Sequence, residues 1–347
     1  MTARPFVGIL IPDRAERLRI LRAYGRQHQP ETELFAFCPD DIDWKRLRIA
    51  GLLYDQDRCE EYSFPFPDAV YNRIFNDRPD LILRLEEHMN GGICFNRVNY
   101  FDKWALYGWL KPSEVGSLIP DSRLYSPTAL QEMLGLHPLL YLKPFYGARG
   151  NGVYRVEYTE RGEVHVGEHH LAPQYIARSL REGIRMIAGL LGSKPYLIQQ
   201  GIQTSTVDGR HFDIRALLQK NGDGKWAPST LVSRIAYSDC FNTSVCEDVC
   251  DATELLRRSF PAWMSDRILH ALHDVGIRAA AEVEARLGPL GEMSVDFLLD
   301  PQHRPWLIEM NGKPDKVLYN ELEDKEIARR IYRRPMAYAR YLAGLRR

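Results

Sequence analysis

The sequence predicts a mixed α/β chain of three lobes, and three observations carry that reading. Residues 1–95 alternate strand-like apolar runs with helical spacing. Residues 96–195 centre on a glycine-rich stretch set between strands, and residues 196–347 hold a long hairpin, a helix and a further strand pair. At 347 residues the chain exceeds one usual compact unit and is large enough to bury a ligand cleft.

Taken in order, "FVGILI" reads as a short strand, "AERLRILRAYGRQ" as a helix and "ELFAFC" as a strand, with "IAGLLYD" and "DAVYNRI" after them. Such alternation implies a parallel sheet in a small α/β lobe. "RPDLILRLEEHMN" has helical spacing and a stop at Gly91 and Gly92; Asn99 or Asp102 then stands where it can cap the helix that carries Lys103. Turns at Pro112, Pro120 and Pro127 lead to "YLKPFYGARGNGVYRV", where Gly147, Gly150 and Gly152 fall within six residues. Glycine accepts positive φ and close approach to its backbone, so this is a tight hairpin or a loop laid over an anion; Lys143 just upstream favours the anion.

Helical spacing returns from Ile176 to Leu191, and "PYLIQQGI" is a short strand ending in a turn. "HFDIRALLQKNGDGKWAPSTLVSRIAYS" reads as two long antiparallel strands joined at residues 221–224. "SDRILHALHDVGIRAAAEVEARLG" is a helix with a glycine stop, followed by the strands "GEMSVDFLLD" and "PWLIEMN". The basic, amphipathic "IARRIYRRPMAYARYLAGLRR" is read as a packed helix with a solvated charged face.

Lys and Arg number 46 against 46 Asp and Glu, which removes the electrostatic footprint expected of a nucleic-acid or anionic-membrane partner. No apolar run approaches a membrane span and the N-terminus lacks a signal-peptide layout, so a cytoplasmic protein is expected. Cys38, Cys59, Cys94, Cys240, Cys246 and Cys250 show no CxxC and no paired histidine motif. Reduced structural thiols are the first reading, with a zinc site or redox pair as the alternative.

Chemistry concentrates on the last strand pair. Asp296 and Glu309 lie on neighbouring strands, and Asn311 shares a face with Glu309 by the two-residue strand period. Two carboxylates and an amide oxygen form a hard donor set suited to Mg²⁺ on substrate phosphates, although a strand pair with exposed polar residues would look the same.

In order along the chain stand "FDKW" with Lys103, "YLKPFYGARGNGV" with Lys143, "LIQQGI", "DGRHFDIRALLQ" with Arg215, and "VDFLLD" followed by "PWLIEMNGKP". Together these motifs resemble the ATP-grasp superfamily. The wording "VYNRI", "GRHFDIR" and "NGDGKW" is most similar to its YheC/YheD family of spore-coat-associated proteins, over almost the whole chain. The resemblance implies an ATP-grasp fold: a Rossmann-like N-terminal lobe, a small central lid lobe and a C-terminal antiparallel-sheet lobe. It implies that Lys103 and Lys143 reach the ATP phosphates, with Gly147, Arg149, Gly150 and Gly152 folding over them. Gln199, Gln200 and Ile202 would form the adenine hinge, the last two through their backbone. Asp296, Glu309 and Asn311 would hold one or two Mg²⁺, with Mn²⁺ as a substitute.

By the same resemblance the reaction is carboxylate–amine ligation through an acylphosphate, with small-molecule or peptide substrates and, as often in the superfamily, a homodimer. Arg215, and after it Arg234, would stabilise the developing charge, since a guanidinium fork grips phosphate or carboxylate bidentately. Asn242 and Lys313 fall on the expected substrate side. The acid that usually holds the ATP ribose has no clear counterpart, Asp208 being the nearest. The competing readings are a non-catalytic or regulatory ATP-binding protein of a spore or surface assembly, and an ATP-grasp phosphotransferase.

Overall fold

The computed structural model describes residues 4–27, 32–55, 58–75, 79–145 and 150–345, which form three sheets. The first comprises β1 (Phe6–Leu10), β2 (Glu33–Phe37), β3 (Ile42–Asp43), β4 (Arg48–Asp55), β5 (Arg58–Phe64), β6 (Ala69–Asn72) and β7 (Ile93–Phe95). Strands β2, β1, β6 and β7 are parallel neighbours, as the alternation predicts. The expectation of a parallel sheet throughout is corrected at its other side. There β4 runs antiparallel to β2, and β3 and β5 pair antiparallel with β4. The strand "RCEEYSF" escaped the sequence reading because its residues are mostly exposed and polar, which leaves no apolar alternation to detect.

Helices α1 (Arg17–Gly25) and α2 (Pro79–His88) cover opposite faces of this sheet. Val7 and Ile9 point toward Leu21 and Tyr24, while Leu10 and Val70 meet Ile82 and Leu85. That is the two-residue period of a strand buried on both sides.

The central sheet is wholly antiparallel. It is built from β8 (Ser122–Leu124), β9 (Leu139–Pro144), β10 (Tyr154–Tyr158), β11 (Val164–Glu168), β12 (Tyr175–Ala177) and β13 (Tyr196–Gln200), in the order β12–β11–β10–β9–β13–β8. In the chain α3 (Lys103–Leu110) follows the first sheet, and its Leu106 and Leu110 join the core of the third sheet, whereas α4 (Pro127–Leu136) and α5 (Leu180–Leu191) pack on the central sheet. Helical structure was expected from Ile176, but that residue lies in β12. The helix waits for Ser179, whose hydroxyl accepts the Glu182 N–H and caps it.

The third sheet holds β14 (Thr206–Val207), β15 (Arg210–Lys220), β16 (Trp226–Ala236), β17 (Cys246–Asp251), β18 (Glu292–Leu299) and β19 (Pro305–Asn311). Its order is β17–β16–β15–β18–β19, with β14 on β15. The predicted hairpin closes with Lys220 opposite Trp226, the Asn221 N–H donating to Lys225 O. Helices α6 (Ala252–Ser259) and α7 (Ala262–Leu287) bury one face against Ile214, Ala216, Val295 and Phe297.

Across the opposite face lie Tyr319 and α8 (Lys325–Gly344). Ile327 and Ile331 of α8 pack on Leu217 and Val232, whereas Met336, Ala339 and Leu342 enter the core of the first sheet. The basic C-terminal helix is therefore a packed helix, and it joins two sheets.

Candidate active site

Asp102 caps α3, its side chain accepting the Ala105 N–H at 2.8 Å. Asn99 does not cap; its amide donates to Ile74 O. A lysine in the first turn opposes the positive end of the helix, yet Lys103 occupies that position. Its Nζ lies 3.4 Å from Glu309 Oε1, so the chain accepts a small local cost to bring a cation to the last strand.

Asp296 on β18 and Glu309 on β19 are direct cross-strand partners, and a bulge follows them; Asn311 faces Ser294. The two acids have different surroundings. Asp296 is buried and receives Arg215 through both Nε and Nη2, each at 2.7 Å, and Arg234 Nη2 at 3.0 Å. Burial alone would raise the Asp296 carboxyl, but Arg215 and then Arg234 more than offset it and hold the pKa at about 2. Arg234 also grips Asp213 through Nε at 2.9 Å and through Nη2, and Thr243 donates its hydroxyl to Asp213 at 2.6 Å. The result is an alternating ladder, Arg215–Asp296–Arg234–Asp213, across three strands.

Lys143 on β9 faces this ladder from the central sheet. Burial lowers its pKa to about 8, partly countered by Glu309 and Asp296 and reinforced by Lys103. Between the two sheets is a cleft with about 510 Å³ of empty space, part of it open to solvent. Lys103, Lys143, Gln199 and Glu309 line it together with apolar Leu106 and Leu197. Charged and aliphatic side chains thus line one concave site, the mixture a small-molecule pocket uses.

The hinge strand closes the apolar side. Gln200 spends its backbone N–H on Asp121 O at 2.7 Å and accepts the Asp121 N–H on its own side chain. The Ile202 N–H has no partner among the described residues. Of the glycine-rich stretch, Gly147 and Arg149 lie outside the described residues. Gly150 and Gly152 both have φ of +71°, the left-handed region where glycine is favoured. A Cβ on Gly150 would stand 2.1 Å from Asn242 Nδ2, so that glycine also permits close contact with the loop after β16. The Gly152 N–H donates to Glu168 Oε1 at 2.7 Å.

Lys103, Lys143, Gln199, Asp296 and Glu309 thus converge, whereas Asn242 is placed against Gly150. Lys313 does not join them; its ammonium sits 4.0 Å over the Phe75 ring, and burial followed by the charge of Arg73 lowers its pKa to about 8. Asp208 is exposed and lies 3.9 Å from Arg210. Sequence reasoning passed over Asp213 and Thr243, although Asp213 and Arg215 share a strand face in "DIR", which signals a paired acid and base. It also missed Tyr319, whose hydroxyl is buried beside Arg215 and Asp296 without a hydrogen-bond partner among the described residues.

Known proteins resemble this chain over most of its length. The sequence model described as "YheC/D like ATP-grasp" matches residues 92–342. The endospore coat-associated protein YheD of Bacillus subtilis (strain 168) is 26% identical over 332 residues, covering 89% of this chain and 70% of its own. YheC of the same organism is 21% identical over 327 residues, covering 88% and 87%. Among solved structures, the ATP-grasp ligase PsnB, complexed with precursor peptide PsnA2 and AMPPNP, superposes with a TM-score of 0.52 at 14% identity over 98% of both chains. The D-cycloserine synthetase DcsG gives 0.50 at 16% identity, covering 97% of this chain and 99% of its own. These two likenesses establish the fold. No helix among the described residues is long and apolar enough to cross a membrane.

Proposed function

The chain belongs to the YheC/D-like ATP-grasp family, and from that premise we propose that it is an ATP- and Mg²⁺-dependent ligase joining a carboxylate to an amine through an acylphosphate. The observation that carries the proposal is the unspent charge at the cleft. Lys143, with its pKa lowered to about 8, and Lys103 face Glu309 and Asp296 in the cleft between the two sheets. Lys103 and Lys143 bind the phosphates as point charges, and the Ile202 N–H with the Gln200 carbonyl is left for the base edge.

The donor set fits a hard cation. Glu309 is half-buried and, among the described residues, pairs with Lys103 alone, and a carboxylate has about four acceptor sites. On Asp296, Arg215 and Arg234 take three of these, leaving one on Oδ1. Mg²⁺ held by Glu309, Asn311 and that remaining site would neutralise charge on the phosphates. Arg215 and Arg234 act here as positioning residues. They keep Asp296 ionised and fixed in place.

Turnover tests the reading directly. ADP and phosphate should form only when both a carboxylate and an amine are supplied, and hydroxylamine should divert the activated carboxylate to a hydroxamate. Transfer of phosphate to a hydroxyl would make the chain a phosphotransferase. A second reading, a nucleotide-binding protein of a surface assembly, is favoured by the forks of Arg215 and Arg234 being engaged on acids, and by the coat association in the names of YheD and YheC. ATP binding with no turnover across amino acids, dipeptides and peptides would establish that reading instead.

A further inference from the structure

Away from the cleft floor, two loops meet where the central and C-terminal sheets approach. One follows β11 and carries His169 and His170; the other follows β16 and carries Asp239 and Cys240. Backbone bonds Leu171 N→Asp239 O (2.8 Å) and Phe241 N→His169 O (3.0 Å) flank an isolated antiparallel bridge between His170 and Cys240. Three different donor types converge there. His170 Nδ1 lies 3.0 Å from Asp239 Oδ2 and 3.6 Å from Cys240 Sγ, which is 3.5 Å from Asp239 Oδ1.

We propose that His170, Asp239 and Cys240 form a Zn²⁺ site that clips these two loops together. Tetrahedral zinc with Zn–S near 2.3 Å and Zn–N and Zn–O near 2.0–2.2 Å separates its donors by about 3.3–3.7 Å. The Sγ–Nδ1 separation of 3.6 Å already lies in that range. Asp239 meets the sulfur through Oδ1 and the imidazole through Oδ2, so its carboxylate must turn to bring one oxygen to the metal. Thiolate, imidazole and carboxylate together select zinc over magnesium, and the exposure of His170 and Asp239 leaves the fourth position to water. Two residues beyond Cys240, Asn242 rests against Gly150, and Thr243 is bonded to Asp213. The clip therefore fixes the segment that links the glycine-rich stretch to the arginine–aspartate ladder.

Cobalt makes the site visible. Full-length protein, stripped of metal and kept reduced without thiols, is titrated with Co²⁺. One equivalent should produce a thiolate-to-metal charge-transfer band with tetrahedral ligand-field absorption, abolished by Zn²⁺ but not by excess Mg²⁺. Cys240→Ser should remove the band, and His170→Ala should weaken Zn²⁺ binding by more than the ~10–100-fold typical of losing an outer-shell partner. Cys246→Ser should change neither. Zn²⁺ should also raise the melting temperature of the parent protein and not that of His170→Ala, whose exposed side chain is not needed for folding. No charge-transfer band, a band retained in Cys240→Ser, or binding only at millimolar metal would overturn the site. Nothing in this test depends on turnover, so it stands or falls apart from the ligase reading.

Discussion

Asp296 and Glu309 face each other across one pair of strands, yet the two halves of the cleft they belong to are built on opposite principles. Around Asp296 each charge is buried and matched: Arg215, Asp296, Arg234 and Asp213 alternate, with Thr243 on the end. Around Glu309 the charges are half-exposed and incompletely matched, with Lys103 at 3.4 Å and Lys143 close enough for its pKa to respond. A buried ladder holds geometry, because removing any member strands a charge away from water. A loosely paired cluster holds capacity, because each group can exchange its partner for a ligand. The fold thus sets stability and binding side by side on adjacent strands.

Substituting the two acids should break this comparison most sharply. Asp296→Asn and Glu309→Gln should each abolish ATP turnover, but only the first should lower stability, by ~3–5 kcal/mol, since it leaves Arg215 and Arg234 incompletely paired. Glu309→Gln should stay within ~1 kcal/mol of the parent, as expected of a partly exposed pair. Denaturant melts of both proteins alongside ADP production decide the matter; equal stability losses would remove the distinction between the two halves.

Next in size is Arg215→Lys. Lysine keeps the charge and loses the fork, so kcat should fall on the order of 10²–10³-fold. Because the fork is spent on Asp296, stability should fall with it while ATP binding persists. A preserved melt with lost kcat would return Arg215 to direct contact with the reacting groups.

A smaller effect is expected on the binding side. Lys143→Ala should raise the KM for ATP ~10–100-fold, the worth of one charge-assisted hydrogen bond, with little change for the carboxylate substrate. The pH dependence follows from the sign of its shift. With a pKa of about 8 in the free protein, Lys143 is protonated below that pH, and phosphates favour the protonated form. ATP affinity should therefore be flat below pH 8 and fall as pH rises through it, with proton uptake on binding measurable by calorimetry in two buffers. An unchanged profile in Lys143→Ala would assign the titration elsewhere.

The smallest effect concerns the glycine-rich stretch. Gly150→Ala should cost ~1–2 kcal/mol, from positive φ together with contact against Asn242. The added variant Asn242→Ala should recover the part due to contact and leave the part due to φ. Full recovery would show that backbone strain contributes nothing.

Much of this protein was legible in its sequence because the relevant signals are local. Alternation over "HFDIRALLQ" and "STLVSRIA", with turn residues between, determined the long hairpin. The two-residue strand period placed Glu309 and Asn311 on one face, and apolar runs named β1, β2 and β6 of the first sheet. The strand "RCEEYSF" and the start of α5 were not legible, since edge strands need no apolar alternation and a serine cap outweighs helical spacing. Only the tertiary structure decided which charges are spent. That Arg215 is committed to Asp296, that Gln200 gives its N–H to Asp121, that Lys313 lies on Phe75, and that His170 meets Cys240 all depend on strand register and loop approach between residues 70 to 238 positions apart. Residue types and spacing supply the groups a site can use; only their packing, through burial and distance, sets which group pairs with which.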